Sequence, residues 1–366
     1  MALREKVGQL FMAGFSGTAA SKDVASLVTD YKPSGVILFS RNLEALGQIV
    51  QLTNDLQKLS PGSPLLIAID QEGGRVSRLP AEFTLFPPCA VLGACRSYDL
   101  AYAVAATTAA ELRAVGINMN MAPVLDVNSN PANPVIGDRA FGSDPRTVCE
   151  MGQATVAGLQ DNEVIACGKH FPGHGDTAAD SHKELPVVEA PVERLREIEL
   201  PPFRYAIAHG VATLMTAHVL YRAWDPRWPA TLSPTILTTL LRGEMGFEGV
   251  VLTDDLEMRA IIDHYGVEEA AVRAFLAGAD MLLICQDPAR TATAVRAMER
   301  AVEDGTIPAG RLEISLERIA RLKRRFLSAY KPISLADAKL VVGCRTHKAL
   351  LDSIRQARER LLKAQA

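Results

Sequence analysis

What most constrains the fold of this chain is a rhythm: short apolar runs recur along it, each followed by a segment with helical periodicity. The runs are Leu10 to Ala13, Gly35 to Phe39, Leu65 to Asp70, Asn118 to Val127, Ile165 to His170, Leu214 to Val219, Gly249 to Asp255 and Met281 to Cys285. Helical patterns fit between them, among them Leu100 to Val115, Arg146 to Gln160, Pro191 to His209, Pro234 to Met245 and Val267 to Ala277. Continuous apolar runs, rather than alternating ones, mark strands buried on both faces of a parallel sheet. Eight repetitions favour a closed barrel over an open doubly wound sheet, whose usual count is about five or six strands. A chain of 366 residues accommodates one TIM (β/α)8-type barrel with its loops. The expectation is therefore an α/β fold with a single barrel domain over residues 1–331, followed after Pro332 by an Arg/Lys-rich helical tail over 332–366.

Charge and local motifs then exclude several functions. The formal net charge is −3, with acids and bases interspersed and no basic stripe that could neutralise phosphates, so nucleic acid is not an expected partner. No GxGxxG or Walker-type loop follows the first strand, which argues against a nucleotide-binding Rossmann domain and a bound nucleotide cofactor. No window reaches the roughly 18 uninterrupted apolar residues of a membrane span. The first residues read directly into the amphipathic segment Val7 to Phe15 without a secretory pattern, so the expected location is the cytoplasm. The six cysteines lack paired spacing and read as small buried thiols rather than a disulfide framework or zinc knuckle.

The chemically informative residues sit where the apolar runs end: Asp70, His170, His218 and Asp254. Catalytic groups of a TIM barrel come from these C-terminal strand ends and the loops after them. The densest block runs Gly168-Lys169-His170-Phe171-Pro172-Gly173-His174-Gly175-Asp176-Thr177 and continues to Asp180-Ser181-His182, placing three of the seven histidines within thirteen residues. Histidine and aspartate are metal ligands, but proline and glycine make this segment a loop rather than one ligating helix face, and the expectation is a catalytic lid without a metal. In Val250-Val251-Leu252-Thr253-Asp254-Asp255 an apolar strand runs into two carboxylates, one aimed into the barrel mouth and the other turned aside as a cap. A third block, Leu66 to Arg78 with Asp70-Gln71-Glu72-Gly73-Gly74-Arg75, mixes acid, amide and guanidinium groups suited to sugar hydroxyls. A fourth, Gly137-Asp138-Arg139-Ala140-Phe141-Gly142, lies in a long loop after a strand.

These four blocks, in this order, resemble the family 3 glycoside hydrolases, and specifically their single-domain bacterial β-N-acetylglucosaminidases. The resemblance covers about residues 4–330. The Lys-His-Phe-Pro-Gly-His-Gly-Asp-Thr and Asp-Ser-His block separates them from family 3 β-glucosidases, which usually take their acid/base carboxylate from a second domain. The resemblance implies that Asp254 is the nucleophile and that Asp180 and His182 form the acid/base dyad. It also implies that Asp70, Arg78, Arg139, Lys169 and His170 hold a terminal N-acetylglucosamine. The short cytoplasmic members act in peptidoglycan recycling, on N-acetylglucosaminyl-1,6-anhydro-N-acetylmuramyl peptides. No cofactor is implied, the partner being a small carbohydrate or muropeptide and the protein a monomer or weak homo-oligomer.

Retaining hydrolysis ordinarily pairs two carboxyl groups about 5 to 5.5 Å apart. Here an imidazole replaces one of them, and histidine titrates near working pH without an unusual shift. Rival readings are a β-N-acetylglucosaminide phosphorylase, because an imidazole leaves one fewer negative charge to repel phosphate, and a broader family 3 β-glycosidase. Outside that group stand a metal-dependent barrel hydrolase using His170, His174 and His182, and a non-catalytic sugar-binding protein.

Overall fold

Eight parallel strands close into a barrel in sequence order, each hydrogen-bonded to its neighbours and the last to the first. We number them β1 (Phe11–Ala13), β2 (Gly35–Leu38), β3 (Leu66–Ile69), β4 (Met119–Asn120), β5 (Ile165–Phe171), β6 (Thr213–Thr216), β7 (Val250–Asp255) and β8 (Met281–Ile284). The computed structural model describes residues 1–327 and 329–365, with 360–365 described by backbone alone. All residues of β1 to β6 and β8 are buried, as a sheet covered by side chains inside and helices outside requires. The architecture is a TIM-type barrel.

The surrounding helices start where their sequences say they should. Ser97, Asp144 and Asp287 each cap a helix by accepting a backbone N–H, and Pro145 and Pro288 follow at the first turn, where proline's missing N–H has no partner to lose. Two expected elements differ. The segment Pro191 to His209 is two helices, Val192–Ile198 and Pro201–Ala208, because Pro201 cannot continue a helix but can begin one. The long apolar run from Asn118 to Val127 contributes only Met119–Asn120 and an isolated bridge from Val124 to Lys169. Pro123, which has no N–H to donate, interrupts the ladder.

Two ladders are irregular near the C-terminal end of the barrel. The register between β5 and β6 shifts between Gly168 and Phe171, and that between β8 and β7 shifts between Met281 and Leu283. Along a regular strand consecutive side chains face opposite ways, whereas a bulge re-aims one of them. At the end of the chain, helices Leu335–Val341 and Arg345–Gln365 lie against the barrel. Ile354 is fully buried among Phe86, Leu92 and their neighbours, and His347 bonds Glu111 at 2.7 Å. Among the described residues no helix is long and apolar enough to cross a membrane.

Candidate active site

A pocket of about 290 Å³ opens at the C-terminal ends of the strands, and it gathers every residue that the sequence assigns to catalysis or sugar binding. Asp70 follows β3, Lys169 and His170 lie in β5, Asp254 in β7, and Arg78, Arg139, Asp180 and His182 reach in from loops. Both bulges act here, since Lys169 with His170, and Asp254 with Asp255, are consecutive pairs that line the same cavity. A larger groove, about 1070 Å³, lies among the loops that precede the strands and carries none of these groups.

One wall is a chain of alternating charges. Lys169 Nζ reaches Asp70 Oδ1 at 2.7 Å and Glu72 Oε1 at 2.6 Å, and Glu72 accepts two parallel bonds from Arg139 at 2.8 and 2.9 Å. Glu72 and Lys169 are buried, and the two cations hold the Glu72 carboxyl well below its usual range although burial alone would raise it. Asp70 and Glu72 in turn keep Lys169 above its ordinary value against the opposing effects of burial and Arg139. Arg78 Nη2 stands 3.9 Å from Asp70 Oδ2, too far for a hydrogen bond. Among the described residues that oxygen accepts no hydrogen bond, which leaves it to take a hydroxyl.

His170 is set by Asp126, whose Oδ2 lies 2.7 Å from its Nδ1 while Oδ1 accepts the backbone N–H of His170 at 3.1 Å and of His174 at 2.7 Å. With Nδ1 engaged by a carboxylate, Nε2 is the nitrogen left for a ligand. Asp126 is fully buried and remains below the usual carboxylate range because His170 and the His174 N–H outweigh desolvation.

The two adjacent aspartates separate. Burial would raise Asp254, but His218, His170 and the Asp255 N–H hold it below its ordinary value, so it is ionised. Asp255 turns its carboxylate to the backbone N–H groups of Glu257 and Cys285 at 3.0 and 3.2 Å, and burial pushes it up to about 7. It caps the loop after β7, not the following helix, which begins at Arg259. His218 is buried behind them, Nε2 donating to the Asp255 carbonyl at 2.9 Å and Nδ1 on Thr231 at 2.7 Å.

The opposite wall is the loop after β5. His182 presents a ring 64% exposed, and its Nδ1 lies 2.9 Å from Asp180 Oδ1, which also accepts the His182 backbone N–H. Burial pushes Asp180 up, yet these bonds leave it below its ordinary value. Among the described residues no three His, Cys, Asp or Glu side chains converge as a metal site. His174, a ligand in the metal-hydrolase alternative, instead spends its nitrogens on Thr177 and Ser181. Sequence reasoning did not single out Glu72, Asp126 or Ser181 as functional. A lone acid inside the apolar run Leu125-Asp126-Val127 was the available signal, since a buried charge requires a partner.

This geometry agrees with what the chain resembles. The profile of the Glycosyl hydrolase family 3 N terminal domain matches residues 2–322. A beta-hexosaminidase of Thiobacillus denitrificans is 41% identical over 283 residues, covering 76% of this chain and 78% of the relative. A solved family 3 beta-N-acetylglucosaminidase from a Paenibacillus species superposes with a TM-score of 0.92 at 45% identity, over 98% of this chain and 69% of that one. A beta-N-acetylhexosaminidase from Beutenbergia cavernae does so with 0.82 at 32% identity, over 88% of this chain and 99% of that one. The chain belongs to glycoside hydrolase family 3.

Proposed function

We propose that this glycoside hydrolase is a retaining exo-β-N-acetylglucosaminidase, releasing terminal β-linked N-acetylglucosamine through a covalent glycosyl-aspartate intermediate. Its natural substrates on this reading are the N-acetylglucosaminyl-1,6-anhydro-N-acetylmuramyl peptides of cytoplasmic peptidoglycan recycling. The observation that carries it is the juxtaposition, around one small pocket, of an ionised Asp254 with an imidazole bonded to a carboxylate. The names of the bacterial relatives and the Lys169 to His182 block support the N-acetylhexosamine. A cavity of about 290 Å³ suits one sugar unit taken end-on. In this reading residues 1–331 are the catalytic unit and 332–366 a packing tail.

Asp254 attacks the anomeric carbon as the bond to the leaving oxygen breaks. His182 delivers its Nε2 proton to that oxygen. Its Nδ1–H stays on Asp180, which fixes the tautomer and supports the imidazolium, as the acid of a triad does. In the second step Nε2 takes a proton from water as the water displaces Asp254. Asp70 Oδ2, Arg139 Nη1 and the remaining Lys169 proton meet sugar oxygens, with His170 Nε2 beside them.

The test compares an aryl N-acetyl-β-glucosaminide with the aryl β-glucoside, each with and without inorganic phosphate, identifying the sugar product. N-acetylglucosamine from the first substrate, at a kcat/KM far above that on the glucoside, is expected in both buffers. Equal kcat/KM on the two glycosides would remove the N-acetylhexosamine assignment, and N-acetylglucosamine 1-phosphate would make the enzyme a phosphorylase.

A further inference from the structure

The lid after β5 is fastened unevenly. Its first half is tied to the segment after β4 at many points. Asp126 holds the backbone of His170 and His174, and Asn133 Nδ2 reaches the carbonyls of His174 and Gly175 at 2.9 and 3.0 Å and Thr177 Oγ1 at 3.1 Å. Arg194 also grips both oxygens of Asp176, at 3.1 and 3.2 Å. The stretch 178–182, which carries Asp180 and His182, makes two hydrogen bonds outside itself and the adjoining turn among the described residues, and both belong to Ser181. One joins Ser181 Oγ to His174 Nε2 at 3.1 Å, and the other brings the Ala260 N–H to the Ser181 carbonyl at 3.3 Å.

His174 is suited to receive that bond. Its Nδ1 is fixed on Thr177 Oγ1 at 2.8 Å, and its ring stands edge-on to His170 with centroids 5.8 Å apart. Both His174 and Ser181 are 2% exposed, so solvent does not compete for their contact. Burial, reinforced by the nearby His170, pushes His174 down to about 4, which keeps the imidazole neutral where a glycosidase works. A neutral ring offers one donor and one acceptor, which two hydroxyls satisfy without any buried charge.

We infer that His174 and Ser181 are positioning residues whose bond latches the outer half of the lid to its anchored half and so places His182 at the leaving oxygen. Ser181 lies between the two members of the dyad, so fixing it fixes the chain that carries both. The inference rests on the dyad assigned to Asp180 and His182, and the experiment separates the two.

Ser181→Ala, His174→Gln and His182→Ala are compared with the parent enzyme on an N-acetylglucosaminyl disaccharide, whose leaving oxygen needs a proton, and on the dinitrophenyl glycoside, whose leaving group does not. General acid catalysis is worth roughly 10²- to 10⁴-fold on the first. Ser181→Ala, which removes one oxygen atom, is expected to lose about 10- to 100-fold in kcat/KM on the disaccharide and under about 3-fold on the dinitrophenyl glycoside, with Tm within about 5 °C of the parent. His174→Gln shows the same split, and His182→Ala a deeper one. Equal losses on both substrates in Ser181→Ala, or none on the disaccharide, while His182→Ala keeps its split, overturn the latch and leave the dyad standing. A uniform loss in His182→Ala overturns the dyad reading and the latch with it.

Discussion

The backbone N–H of Asp255 donates to Oδ1 of Asp254 at 2.8 Å, so the second of two adjacent acids helps keep the first ionised while turning its own carboxylate away. A bulge against β8 lets both line the pocket, and their surroundings push them in opposite directions. The division yields a direct prediction. Asp254→Ala is expected to lose at least about 10³-fold in turnover on every leaving group, whereas Asp255→Asn, which keeps an oxygen for the Glu257 and Cys285 N–H groups, loses under about 10-fold. A 5-fluoro mechanism-based sugar followed by peptide mapping should place the label on Asp254, and a label on Asp255 would reverse the assignment.

Glu72 is held by two cations and buried with them, so neutralising it leaves Lys169 and Arg139 facing each other with one countercharge fewer. Removing one member of a buried ion pair costs about 3–5 kcal/mol. Glu72→Gln should lower the unfolding free energy by that amount in urea, at unchanged m-value, and raise KM, because Lys169 and Arg139 lose the carboxylate that orients them. Arg139→Lys should likewise raise KM, since an ammonium cannot make the two parallel bonds. An unchanged urea midpoint in Glu72→Gln would mean the network is solvated and adjustable.

The contrast between Asp70 and Glu72 shows what was legible in the sequence. Asp70, His170 and Asp254 announce themselves because an apolar run ends on a charged group, and the barrel rule turns that position into a site. Glu72 sits two residues beyond Asp70 and reads as part of a glycine-rich turn, because its partner Arg139 lies 67 residues away. Asp126 is hidden the same way, its His170 partner lying 44 residues on in β5. Strand positions were readable because burial on both faces makes the runs continuous. The single helix expected over Pro191 to His209 failed because apolar spacing was weighed above Pro201, whose ring ends one helix and starts the next.

Stability should also depend on pH through Glu199, which lies beneath the lid. Its Oε1 accepts from Ser129 at 2.8 Å, its Oε2 has no hydrogen-bond partner among the described residues, and Asp126, Asp176 and Arg194 surround it. Burial above all pushes Glu199 up to about 7, as it does Asp255. A carboxyl raised on folding holds its proton more tightly in the folded state, so its contribution is complete below the unfolded value and is lost as pH rises through about 7. Asp126, Asp180 and Asp254 are lowered and act oppositely, losing their contribution as pH falls below the usual carboxylate range. His174, pushed down to about 4 by burial, and the likewise lowered His218 oppose Glu199 over much of this range, because a buried neutral imidazole loses its contribution as pH falls. At about 1.4 kcal/mol per pH unit, Glu199 alone accounts for roughly 3 kcal/mol of stability lost between its unfolded value and about 7. Thermal melts between pH 5 and 8 should show Glu199→Gln gaining stability relative to the parent as pH rises toward 7, and a difference independent of pH would assign the effect elsewhere.

The anchored half of the lid offers a last test, through a close approach of two backbones. A Cβ on Gly175 would stand 1.6 Å from the Val127 carbonyl oxygen, a distance no side-chain adjustment can relieve. Gly175→Ala must therefore push the lid off the segment after β4, stretching the bonds that Asn133 and Asn130 make to the 174–177 turn. Overpacking of this kind costs about 1–3 kcal/mol. Because Asp70 and Asp254 lie outside the lid, the variant should still label at Asp254 with the 5-fluoro sugar, while its kcat on the disaccharide falls at least about 10-fold through displacement of His182. Calorimetry together with the two rate measurements checks this. A variant with parental kcat on the disaccharide would show that the dyad does not depend on where the first half of the lid is docked.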